Sequence, residues 1–139
     1  MEGRIKFMMD MQELGVAHLE ITRHLVDLES DETLKRLLRA QTKCVVRVYM
    51  ISAYDLASRD NGSFSDPYLI MTCGNKTYNE RAIYQQDEPN PFFGKHYDFE
   101  AVFPGCAPLV IDVMDYDDIF GDDSIGKTSI DLEDRFFTA

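Results

Sequence analysis

From residue 44 onward, apolar positions recur every second residue in short runs separated by turn residues. Val46, Val48 and Met50 share one face of the first run, and residues 68–73 form the second. Gly74 and Asn75 then turn the chain into a third run over about 76–82. Phe93, Tyr97, Phe99 and Ala101 share a face of the fourth run, which Pro104 and Gly105 end. Leu109, Ile111 and Val113 make the inward face of the fifth, which leads directly into Asp115. The last run covers 125–132, where Gly126 marks a close approach or a bulge. Alternation of this kind, punctuated by turns, predicts a mainly β protein built as an antiparallel sandwich.

Ahead of these runs the period changes. Leu14, Ala17, Ile21, Leu25 and Leu28 are spaced for one face of a helix, predicted over about 12–28. Ser30 is placed to cap a second helix over about 31–41, with Asp31 and Glu32 in its first turn and Leu34, Leu37 and Leu38 on its apolar face. Residues 3–9 alternate Ile5 and Phe7 with Arg4 and Lys6, which favours a strand. The chain thus divides into an N-terminal segment, 1–43, and a sandwich, 44–139.

At 139 residues and 45% hydrophobic content, there is material for one domain with a core. The net charge of −11 disfavours unaided binding to nucleic acid or anionic lipid, so an anionic partner requires a bridging cation. Cys44, Cys73 and Cys106 are odd in number and widely spaced, which suggests neither a disulfide framework nor a zinc site and fits a reducing compartment. No apolar run approaches the roughly 18 residues of a spanning helix.

The acids change the picture most. Asp60 and Asp66 lie in one short cluster, and Asp115, Asp117 and Asp123 in another. Carboxylates this close repel unless water screens them or a hard, oxygen-seeking cation such as Ca²⁺ joins them. Asp115 and Asp117 are two residues apart at a strand end, a spacing that sends both to one side. An EF-hand is excluded: counted from Asp115, the sixth position is Phe120 instead of glycine and the twelfth is Gly126 instead of glutamate. Mg²⁺ fits less well, because it demands a tighter octahedron and keeps its waters. Phe64, Ile119 and Phe120 flank the acids as apolar side chains, each worth about 1.5 to 3 kcal/mol if buried, either folded back into the sandwich or inserted into an external apolar surface.

The sandwich region resembles a C2 domain over about residues 44–137. The resemblance is carried by VRVYMISAYDL, SDPY, NPFFGKHYDFE and VMDYDDIFGDDSIGKTSIDL, and NPFFGK with IGKTSIDLEDRF is most similar to the ferlin family. It implies an eight-stranded sandwich whose apical loops bind Ca²⁺ and dock on phospholipid. Asp60 and Asp66 match the loop-one ligands, and Asp115, Asp117 and Asp123 the loop-three ligands. Phe120 stands where some relatives have serine. Six strands are clear and 3–9 supplies a seventh, so one of the eight is missing from this stretch. An edge left open in this way invites cover by the N-terminal segment or by a second copy, through strand or helix exchange.

The expected function is a calcium-dependent contact with anionic phospholipid in membrane trafficking or vesicle fusion. The expected location is cytoplasmic and peripheral on membranes, with any anchor elsewhere in a parent protein. The alternative is a protein-interaction module in which calcium is structural or absent and the N-terminal helices make the contact. Catalysis is not expected: no His-Glu-x-x-His, Gly-x-Ser-x-Gly or phosphate-cradling glycine loop is present.

Overall fold

The computed structural model describes residues 4–13, 40–58, 63–119 and 121–138. Seven strands are found among them: β1 (Arg4–Glu13), β2 (Thr42–Tyr54), β3 (Pro67–Cys73), β4 (Lys76–Asn79), β5 (Phe92–Phe103), β6 (Leu109–Asp115) and β7 (Asp123–Ile130). A 3-10 turn, Arg81–Ile83, follows β4, and a short helix, α1 (Leu132–Thr138), follows β7. One sheet has the order β1-β2-β5 and the other β4-β3-β6-β7, with every pairing antiparallel.

Period-two alternation explains the core. Cys44, Val46, Val48 and Met50 of β2 are buried, as are Tyr97, Phe99, Ala101 and Phe103 of β5. From the other sheet, Leu69, Met71 and Cys73 of β3 join Leu109, Ile111 and Val113 of β6 in the same apolar cluster, which makes the two sheets one sandwich. On the outer face, the directly opposed Arg47 and Asp98 form a fork, with Nε and Nη2 of Arg47 donating at 2.7 and 2.8 Å to the two carboxylate oxygens.

Several boundaries differ from those predicted. Residues 12 and 13, read as the start of a helix, belong to β1, where Gln12 faces Val45 and Glu13 faces Cys44. Ladder hydrogen bonds to the long β2 here override local helical spacing. Ala40 is a bend and Gln41 is irregular, so the second predicted helix does not reach 41; both helices otherwise fall on residues outside those described. Because β1 pairs with β2, residues ahead of 44 contribute to the same sheet. The third run leaves its strand after Asn79 for the 3-10 turn, and Leu132 ends no strand but starts α1, burying its side chain in the core.

Three ladders are irregular, the first between β1 and β2, where the register shifts between Lys6 and Phe7. Val113 pairs with Gly126 and Met114 with Ser124, so Ile125 is the extra residue of a bulge beside Gly126. Between β2 and β5, the register shifts between Met50 and Ser52, and Gly94 on the opposing strand sits at φ +60°. A side chain at Gly94 would also meet the Phe92 ring, 2.6 Å from the ideal Cβ.

Candidate metal and membrane-contact loops

Register brings the two acidic clusters to one end of the sandwich. Pro67 faces Asp115, and Asp115 faces Asp123, so the end of loop one (residues 55–66, of which 55–58 and 63–66 are described) and both ends of loop three (116–122, described except for 120) leave neighbouring strands side by side. Strands lie only about 4.8 Å apart in that direction. Loop two, residues 80–91, runs alongside: the Gln85 and Glu88 amides donate to the Pro67 and Ser65 carbonyls, each at 3.1 Å.

Asp115 continues the inward face of Ile111 and Val113 and is only 5% exposed. One of its oxygens, Oδ1, accepts from the Asp66 amide at 2.6 Å. The other, Oδ2, is buried and has no hydrogen-bond partner among the described residues. A buried carboxylate oxygen without a donor is costly unless a water or a cation meets it.

Its acidic neighbours have turned to backbone amides. Asp66 Oδ1 accepts from the Asp87 amide at 2.8 Å, and Asp117 Oδ1 accepts from the Ile119 amide at 2.6 Å. Asp123 is exposed at the start of β7. Among the described residues, no three His, Cys, Asp or Glu side chains are grouped closely enough to hold an ion. Mutual repulsion accounts for this spread: like charges separate when loop amides offer neutral donors instead. Asp60 lies outside the described residues, as does Phe120. The remaining apolar tips point to solvent, with Ile119 80% and Phe64 55% exposed.

Asp122 behaves differently from the other acids. Arg81 holds both of its oxygens, Nε to Oδ2 at 2.6 Å and Nη2 to Oδ1 at 2.9 Å. Tyr68 donates its hydroxyl to Oδ2 at 2.6 Å, and the Asp117 amide donates to Oδ1 at 3.0 Å. The Arg81 fork holds the Asp122 carboxyl well below the usual carboxylate range. Burial, reinforced by the bond to Asp122, pushes the Tyr68 phenol up to about 12. Asp118 accepts from the Tyr116 hydroxyl.

Arg81, Tyr68 and Asp87 are not among the predicted site residues. In sequence, Arg81 reads only as one of two bases in an otherwise unbasic stretch, and Asp87 stands apart from both acidic clusters. The one local signal is turn chemistry: Asp87 adopts φ +52°, and its Oδ1 accepts from the Phe64 amide at 3.1 Å, tying loop two to loop one.

Residues 44–138 match the C2 domain family. The chain belongs to that family. Its C2 sequence is ferlin-like, 38% identical over 96 residues to myoferlin of Xenopus tropicalis and equally to that of Homo sapiens. Those matches cover 69% of this chain, which spans 5% of the length of either myoferlin. Among solved structures, a pair of C2 domains from Extended-Synaptotagmin 2 superposes with a TM-score of 0.60 at 29% identity, covering 67% of this chain and 32% of that one. The calcium-bound form of the same pair gives 0.60 at 28% identity, covering 67% and 36%. In this C2 domain the loop end just described is the one that carries the acids and the apolar tips. No helix among the described residues is long and apolar enough to cross a membrane.

Proposed function

We propose that this C2 domain is a non-catalytic, calcium-dependent module that docks peripherally on anionic phospholipid, in a protein of membrane trafficking or vesicle fusion. The observation that carries the reading is Asp115 Oδ2, buried beside the Asp66 backbone and without a donor among the described residues. A hard cation would satisfy such an oxygen, and the carboxylates around it offer only oxygen ligands, as Ca²⁺ prefers. The calcium-bound state of Extended-Synaptotagmin 2, similar in fold and sequence, supports the same choice.

Asp66, Asp115, Asp117 and Asp123, with Asp60 from loop one, would hold the ion. When bound, Ca²⁺ supplies positive charge that neutralises the loop acids and leaves oxygen-seeking positions for lipid phosphate. Drawing Asp66 and Asp117 towards that charge requires each to give up an amide partner, at a cost of about 0.5 to 1.5 kcal/mol per neutral hydrogen bond. Joining several carboxylates to one divalent ion would offset that cost by relieving their mutual repulsion.

The apolar tips provide the second half of the contact. Ile119 and Phe64 already face solvent, and each adds about 1.5 to 3 kcal/mol on entering the acyl boundary, giving affinity that stays reversible. A module that only bound another protein has no need of apolar tips beside a metal site.

Cosedimentation with phosphatidylserine and phosphatidylcholine vesicles tests the reading. The domain is expected in the pellet with calcium and in the supernatant with chelator. Equal binding in both conditions, or binding in neither, overturns it.

A further inference from the structure

Arg81 stands outside the acid set, yet it grips the loop that carries Asp117 and leads into Asp123. Its fork closes on Asp122 through two bonds of 2.6 and 2.9 Å, and Nη2 also donates to the Asp117 carbonyl at 3.1 Å. The guanidinium lies over the Tyr116 ring at 4.2 Å from the centroid. Tyr116 in turn stacks on Tyr84, one residue beyond the 3-10 turn, with centroids 4.0 Å apart and planes within 4°. Four donors fill the two oxygens of Asp122: two from Arg81, one from Tyr68 and one from the Asp117 amide. Asp122 therefore has little capacity left to ligate an ion; it is an anchor.

We propose that Arg81 is a positioning residue for the calcium site, fixing through Asp122 and the Asp117 backbone the stretch that presents Asp117 and Asp123. This rests on the calcium reading above. Partners one shell removed from a metal commonly set its affinity by 10- to 100-fold, because they hold the ligands in one arrangement.

Two effects of Arg81 oppose each other, and their signs separate them. As a positive charge near the acids it repels Ca²⁺, so its removal tightens binding if charge dominates. As a clasp it holds the ligands ready, so its removal loosens binding. The Arg81 side chain is 44% exposed, so solvent and salt screen its charge. The fork and the ring stack act at contact distance, where screening is weaker than for the longer-range repulsion of an ion, so positioning outweighs charge.

The test is calorimetric titration of calcium chloride into the metal-free chain, with Arg81→Ala and Arg81→Lys compared with the unchanged protein. Both variants are expected to raise the Kd by about tenfold or more, since an ammonium cannot reproduce the fork and stack. Amide exchange provides a calcium-independent readout: the Asp117 amide, which donates to Asp122, should exchange faster in both variants without metal. Binding as tight as or tighter than that of the unchanged chain overturns the proposal. So does a lower melting temperature with unchanged Kd and unchanged exchange, which would make Arg81 merely structural. If the alanine variant fails to fold, the lysine variant is read by the same criteria. Absence of binding heat from the unchanged chain would instead overturn the calcium reading, and this proposal with it.

Discussion

Asp115 combines two conditions that rarely coexist: its carboxylate is buried, and one of its oxygens lacks a donor among the described residues. Asp115→Asn combined with Asp117→Asn should remove the calcium response while leaving the metal-free fold intact, because two mutually repelling charges are lost. Circular dichroism with and without calcium checks both parts, and a variant that fails to fold counts against the assignment. Elsewhere, Arg47 holds the Asp98 carboxyl below its ordinary value by direct hydrogen bonding. A carboxylate depressed by folding contributes stability above its unfolded pKa, and that contribution is lost as pH falls through the folded value. Arg47→Gln should therefore flatten the fall in stability below about pH 4. Both side chains are more than a third exposed, so the effect should be small and shrink further in salt. Urea titrations at pH 6 and pH 3 measure it.

Among the elements, the strands obey the pattern that predicted them and the irregular points obey backbone sterics. Ile111 is fully buried between the sheets, so Ile111→Val should cost about 0.5 to 1.5 kcal/mol in a urea titration without disturbing calcium binding. Gly94 sits at φ +60° opposite the shifted register of β2. Its Cβ would meet Phe92, but that ring is 69% exposed and free to swing, so the positive φ decides the cost. Gly94→Ala should destabilise by about 1 to 2 kcal/mol in the same measurement. The helical spacing over 12–28 shows the limit of local pattern: at Gln12 and Glu13 the ladder to β2 prevails.

For the whole molecule, a net charge of −11 means that the proposed attraction to an anionic surface would have to come through a bound cation and the apolar tips. Calcium that binds only the folded form should stabilise the domain by about 2.7 kcal/mol at a hundred times its Kd, raising the melting temperature by several degrees. A scan with and without calcium shows it; an unchanged midpoint at saturating calcium contradicts binding to the native state. Ile119→Ser with Phe64→Ser should weaken vesicle binding at constant calcium while leaving this thermal shift unchanged, separating membrane contact from metal binding.

Much of this was legible along the chain. Val46, Val48, Met50, Tyr97, Phe99, Leu109, Ile111 and Val113 announce their burial because period two is a local property, imposed wherever one strand face must leave water. The exposed Ile119 beside closely spaced acids was also visible in the sequence, whereas the distances between those acids were not. Three features depended on the folded structure. The bond of Arg81 to Asp122 joins residues 41 apart, and no spacing rule links them. The tie from Asp87 to Asp66 depends on loop two lying beside loop one. The orphaned oxygen of Asp115 depends on which neighbours fill the space around it. Side-chain hydrogen bonds between loops follow from the register of β3, β6 and β7, which brings the loops together, and that register is a property of the assembled sheet.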